Sequence, residues 1–228
     1  MSEGERREER EERKADKEQK LNKTNKMITM KRFGALLLGI CCTAWMTVSA
    51  RSGLVPSDKG TLIVYFSHGG ENYGVGKVEE GNTKVAVREI ASVTGGDVFE
   101  IVSLKNYDMS YEQLKEEARR EHERGEMPEY ADTILNIMQY DTVIVCGPIW
   151  WDTYPRVMST FFSRYDLNGK VLMPLTTHEG SGMGRVREDL AKRYPGATMG
   201  DGLAVYGHEV RTESGRRSID EWLKKLGY

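Results

Sequence analysis

Thr142 to Pro155 reads TVIVCGPIWWDTYP, and the junction inside it decides the fold. Thr142–Gly147 is apolar and β-branched without the alternation of a half-solvated strand, the pattern of a strand buried on both faces. The run then breaks into Gly-Pro and two consecutive tryptophans. Two indoles at adjacent positions cannot easily face one core. At least one lines a cleft or lies exposed, which suits stacking on a planar ligand; packing under the next helix is the competing use.

Outward from this junction the pattern repeats. Thr61–Ser67 (TLIVYFS), Asp97–Val102 (DVFEIV), Lys170–Leu175 and Leu203–Val205 read as further strands. Between them, Thr83–Thr94 sets Ala86, Val87, Ile90 and Ala91 on one helical face, and Ser110–Glu123 starts on a serine suited to an N-cap. Asp132–Gln139 reads as a short helix, followed by helices at Val157–Tyr165 and Arg185–Tyr194. Thr212–Leu226 closes the chain with Ile219, Trp222, Leu223 and Leu226 on one face. Alternating strands and helices predict an α/β fold, a three-layer αβα sandwich around a parallel sheet. In such sheets ligands sit at the carboxyl ends of the strands.

The loops expected there are unusual. Ser67–Thr83 (SHGGENYGVGKVEEGNT) is rich in Gly, hydroxyl and amide groups and delivers the chain to a helix N-terminus, where backbone N–H groups can hold a phosphate. It has no GK[ST] ending, and Lys77 and Lys84 are its only cations beside Glu71, Glu79 and Glu80. That argues against a magnesium triphosphate and for a single phosphate held by neutral donors. Gly147–Pro155 is the second loop. The third, Thr176–Arg185 (TTHEGSGMGR), offers hydroxyls at Thr176, Thr177 and Ser181 and a backbone free to approach the polar edge of a heterocycle.

YFS with a loop ending in GNT, then GPIWW, THEGSG and a C-terminal EWLKKLG resemble the flavodoxin-like, FMN-binding family from Thr61 to Tyr228. The resemblance implies a five-stranded sheet of order 2-1-3-4-5 with FMN at its carboxyl edge. It implies a phosphate site at Ser67, Asn82 and Thr83, with His68 and Gly81 as further cofactor-binding residues. Pro148, Ile149, Trp150 and Trp151 would lie on one side of the isoalloxazine, and Thr177, His178, Gly180, Ser181 and Gly182 on the other. Two departures stand out. The phosphate loop carries an insertion, NYGVGKVEE. The third loop lacks the tyrosine that commonly stacks on the ring's outer face, a place left to His178 or to nothing.

The function implied is electron transfer through non-covalently bound FMN, with a redox partner protein or an NAD(P)H-linked reductase. The alternatives are an FMN-dependent NAD(P)H oxidoreductase acting on a quinone, flavin or other conjugated acceptor, and a binding module that keeps the fold without flavin. No catalytic acid–base dyad is expected. The histidines show no metal-ligand spacing, and Cys146 reads as a core side chain. A phosphate held without cations in an acidic body disfavours added negative charge on the ring, which lowers its potential.

Charge and length set the remaining bounds. The net charge is −2, which argues against nucleic acid as a partner. From Arg51 onward 22 Lys/Arg face 27 Asp/Glu, a balance of −5. Residues 1–29 alternate in charge without apolar periodicity, as a disordered or helical tail or an over-extended start ahead of Met30. Residues 30–50, with Lys31-Arg32, an apolar run and a small-residue end, have the three regions of a secretory signal, or an anchor if uncleaved. The implied location is exported or membrane-anchored, with membrane contact only through this segment, or cytoplasmic if the leader is not functional. Residues 51–60 read as a linker.

Overall fold

The computed structural model describes residues 60–228. The predicted tail, the leader and all of the linker but Gly60 lie outside the described residues. The chain divides into units Met1–Ala50 and Arg51–Tyr228, and every described residue belongs to the second.

In chain order the elements are β1 (Gly60–Tyr65), β2 (Gly70–Asn72), β3 (Gly76–Val78), α1 (Asn82–Thr94), β4 (Asp97–Glu100) and β5 (Val102–Ser103). Next come α2 (Tyr111–Arg124), β6 (Tyr130–Ala131), β7 (Tyr140–Pro148), α3 (Arg156–Arg164) and β8 (Val171–His178). The last are α4 (Val186–Arg193), β9 (Thr198–Met199), β10 (Leu203–Tyr206) and α5 (Glu213–Leu226). The main sheet runs β10-β8-β7-β1-β4, all parallel, which is the order 2-1-3-4-5 when its long strands are numbered along the chain.

Successive strand residues point to opposite faces, and here both faces are dry. Leu62, Val64, Val143, Val145 and Leu172 pack on one side with Leu114 of α2, Val157, Met158 and Phe161 of α3, and Val186 and Leu190 of α4. Ile63, Tyr65, Ile144, Cys146, Met173 and Leu175 pack on the other with Ala86, Val87 and Ile90 of α1 and Ile219, Trp222, Leu223 and Leu226 of α5. The three layers follow from that division. The helix ends are fixed locally. Ser110 Oγ accepts from Gln113 N while the Gln113 side chain accepts from Ser110 N, a reciprocal cap on α2. Thr212 Oγ1 accepts from Gly215 N at the start of α5.

The structure corrects several expectations. The five-stranded order holds, and the short β9 adds to it by pairing with the start of β8, while β10 pairs with its end. Within the loop after β1, β2 and β3 form an antiparallel hairpin that the sequence reading did not foresee. The helix expected at Asp132–Gln139 is reduced to one 3-10 turn, Ile137–Gln139. Tyr130–Ala131 instead pairs with Val102–Ser103, the end of the predicted second strand. The exported or membrane-anchored location is also corrected. The part of the chain that carries the three loops is an αβα sandwich in which no described helix is long and apolar enough to cross a membrane, and the leader lies outside the described residues.

Phe161 anchors the α3 face. It is fully buried and meets Phe99, Tyr130, Phe162 and Tyr165 with ring centroids 5.9, 6.3, 5.8 and 4.8 Å away. Phe161→Ala is expected to lower the unfolding free energy by about 3–5 kcal/mol, a large share of the ~5–15 kcal/mol of an ordinary domain. Urea unfolding checks this through a lower midpoint at unchanged slope.

Candidate functional site

The loops after β1, β7 and β8 meet at the carboxyl edge of the sheet, around a cleft of about 380 Å³, within the ~300–1,000 Å³ range of small-molecule sites. Its floor begins where β1 hands over to α1. Ser67 Oγ accepts from the Lys84 N–H at 3.0 Å, folding the loop back onto the first turn of the helix. Gly81 precedes that turn as its N-cap. A Cβ placed there would lie 2.2 Å from His68 O and 2.4 Å from Ser67 Oγ, so only glycine lets the two strands of the loop approach so closely. The positive end of the α1 dipole is thereby set at Asn82 and Thr83, both buried and both lining the cleft.

Two bonds tie this end to distant parts of the chain. Thr83 Oγ1 and Thr177 Oγ1 share a buried hydrogen bond of 2.8 Å between the first and third loops. The Arg211 guanidinium donates to Asn82 Oδ1 and to Glu80 O from beyond β10. Positive charge therefore does stand beside the phosphate loop, contrary to the expectation of neutral donors alone.

At the other end, Ile149 N donates to Thr177 O at 3.0 Å, and Trp150 N to Thr153 O at 2.9 Å, closing a tight turn. Trp151 and Asp152 take positive φ values of 52° and 67° in that turn. A bulky side chain there costs strain, offset by bonds that hold the turn: Asp152 O accepts from Arg185 N at 2.7 Å, and its carboxylate meets Arg185 Nε at 3.2 Å. The turn separates the two indoles. Trp150 goes inward, edge-on to Phe66 and Tyr107 with centroids 5.5 and 5.2 Å away. Trp151 stays 44% exposed, its Nε1 donating to Lys115 O at 2.9 Å. Both line the cleft.

His178 lines the third wall, but its Nδ1 accepts from Gly180 N at 2.9 Å and its ring lies 4.5 Å from that of Tyr206. Burial holds its pKa below the ordinary histidine value, partly opposed by the charge of Glu179. Burial likewise lowers the pKa of His68, whose Nε2 is enclosed without a hydrogen-bond partner.

Of the residues singled out from the sequence, the structure brings His68, Asn82, Thr83, Pro148, Ile149, Trp150, Trp151, Thr177, His178 and Ser181 together on the cleft wall. Ser67 is not on that wall; its hydroxyl is committed to Lys84 N, and it lines the neighbouring hollow. Gly81 acts through backbone approach. Gly180 and Gly182 shape the third loop with φ values of 130° and 60°, and Gly182 O accepts from Thr176 Oγ1 at 3.0 Å. Sequence reasoning missed Tyr73, Tyr111, Leu114 and Lys115 on the wall, and Arg211 behind it. Arg211 stands 129 residues from Asn82, and no local pattern links the two.

These residues fit FMN. A helix N-terminus with hydroxyls and a nearby guanidinium suits a phosphate, an enclosed imidazole nitrogen is left seeking a partner, and indole surface suits a planar ring.

Glu179, at the cleft edge, accepts from His208 N at 2.8 Å and meets His208 Nδ1 at 2.6 Å. The hydrogen bond to Glu179 raises the His208 pKa. The stability it confers is fully present below the unfolded value of about 6.5 and is lost as pH rises through the raised folded value. NMR titration should place His208 above its ordinary value in the native protein and lower it in Glu179→Gln.

Comparison with known proteins agrees with this geometry. The flavodoxin family model matches residues 60–226. A proposed flavoprotein from Bacteroides eggerthii superposes with a TM-score of 0.58 at 28% identity, covering 74% of this chain and 98% of that one. Another from Bacteroides uniformis gives 0.55 at 25%, covering 72% and 97%. A Lactobacillus acidophilus flavoprotein in complex with FMN gives 0.53 at 18%, covering 72% and 99%, a likeness of fold. No curated protein matches the chain. With the family model spanning the whole of the described sandwich but its last residues, the chain belongs to the flavodoxin family, a family of FMN-binding proteins.

Proposed function

We propose that this protein is an electron carrier working through non-covalently bound FMN. The observation that carries the reading is the meeting of three loops on one cleft, with a helix N-terminus at one end and indole surface at the other. Asn82, Thr83 and the turn at Gly81 hold the phosphate, Arg211 steadies Asn82 from behind, and the Ile149–Thr177 backbone bond sets the width of the ring site. FMN, when bound, supplies the redox chemistry.

Four titratable groups on the cleft wall are tied into the fold. Glu179 is engaged by His208, Asp152 by Arg185, Glu71 by the Tyr111 N–H, and His178 by the Gly180 N–H. A carrier whose cofactor does the chemistry needs no more than this. An oxidoreductase that protonates its acceptor would need one of these groups released, or would draw on His68, whose Nε2 has no hydrogen-bond partner.

Titration of the apoprotein is expected to show FMN binding with Kd below about 10 μM, near −7 kcal/mol; weaker binding would overturn the reading. Gly81→Ala, which drives a methyl group into His68 O, should weaken FMN about tenfold or more while the protein stays folded, a loss of at least ~1.4 kcal/mol. Steady turnover with NAD(P)H and a quinone, with no partner protein, would replace the carrier by an oxidoreductase.

A further inference from the structure

The hairpin inserted in the phosphate loop does not lie slack on the surface. Asn72 Nδ2 donates to Gly70 O at 3.1 Å and to His68 O at 3.4 Å, fixing its root. On one side it is tied to the start of α2: the Glu71 carboxylate accepts from Tyr111 N at 3.0 Å, and the Tyr73 and Tyr111 rings lie 5.6 Å apart at 34°. On the other side its turn rests on the third loop, with Glu179 Cδ 3.1 Å from where a Cβ on Gly74 would stand. The hairpin therefore spans the cleft from helix to loop. Tyr73 rides at its turn, lining the cleft and 62% exposed. An aromatic ring left open beside an aromatic-walled cleft gains by covering a flat ligand.

The third loop has no such ring to offer, because His178 is drawn against Tyr206 with its Nδ1 already engaged. We propose that the hairpin is a clasp on the planar ring of the cofactor, and that Tyr73, in place of His178, supplies the aromatic contact beyond the tryptophan turn. The proposal rests on the FMN reading above and assigns a role to the segment that departs from the family's compact phosphate loop.

The test measures FMN and riboflavin binding to the apoprotein of the full chain, by flavin fluorescence, for native protein, Tyr73→Ala and Tyr73→Phe. Riboflavin lacks the phosphate, so it separates a ring contact from support of the phosphate loop. Tyr73→Ala is expected to weaken both ligands equally, about tenfold, with the apoprotein still folded. Tyr73→Phe should restore both. Chymotryptic cleavage after Tyr73 should slow when FMN is added to the native protein. Native affinity in Tyr73→Ala, or a loss confined to FMN, would overturn the clasp and leave the FMN reading standing. Failure of the native protein to bind either flavin would overturn both.

Discussion

Burial of β1, β7 and β8 on both faces is the constraint from which the rest of the molecule follows. A strand dry on both sides must be apolar at nearly every position, with any polar side chain hydrogen-bonded, must have helices above and below, and runs parallel to its neighbours because those helices are the connections. Leu62, Val64, Val143 and Val145 serve one core, and Ile63, Tyr65, Ile144 and Cys146 the other. Parallel strands end together. The segments that leave them, rich in glycine, tryptophan and hydroxyl groups, are thereby gathered at one edge without any contact designed solely to gather them. The Thr83–Thr177 bond and the Ile149–Thr177 bond then set the spacing of what has been gathered.

The cleft is neither uniformly rigid nor uniformly charged. The end at the start of α1 is closed around Gly81, where no side chain fits, and is braced by Arg211. The opposite end depends on a turn that holds Trp151 and Asp152 in a left-handed backbone against Arg185. Strain retained in a ligand-facing turn, with outside bonds to offset it, is characteristic of sites where geometry matters more than stability. Carboxylates occur along the rim, but Glu71, Asp152 and Glu179 are each engaged within the fold, so the acidity of the body is not simply displayed at the cleft.

The sandwich was legible because burial on two faces writes itself as a nearly unbroken apolar run, whereas its strand order and half of the cleft wall came through the resemblance carried by the loop motifs. The hairpin was not legible. GEN and GKV are short and polar and bury nothing, so they carry no periodicity. Asp132–Gln139 misled for the opposite reason. Ile134 and Ile137 do pack inward at helical spacing, but Leu135 is 99% exposed and Asp132 takes a φ of 67°, which breaks the turn before it starts. Tyr73 and Tyr111 meet only through tertiary structure, as do Arg211 and Asn82. Among the described residues, the additions to the site are those contributed by elements that no motif announces.

The split in the last edge has a consequence for how copies of this protein behave when crowded. An exposed sheet edge is a template on which another chain can add a strand, the first step toward aggregation. Here that edge is offered in two pieces, Thr198–Met199 and Leu203–Tyr206, interrupted at Gly200 to Gly202. An incoming strand finds no stretch longer than four residues on which to register. A sheet built for two-faced burial, and so unusually apolar, is thus kept from growing on that side by the same irregularity that ends it.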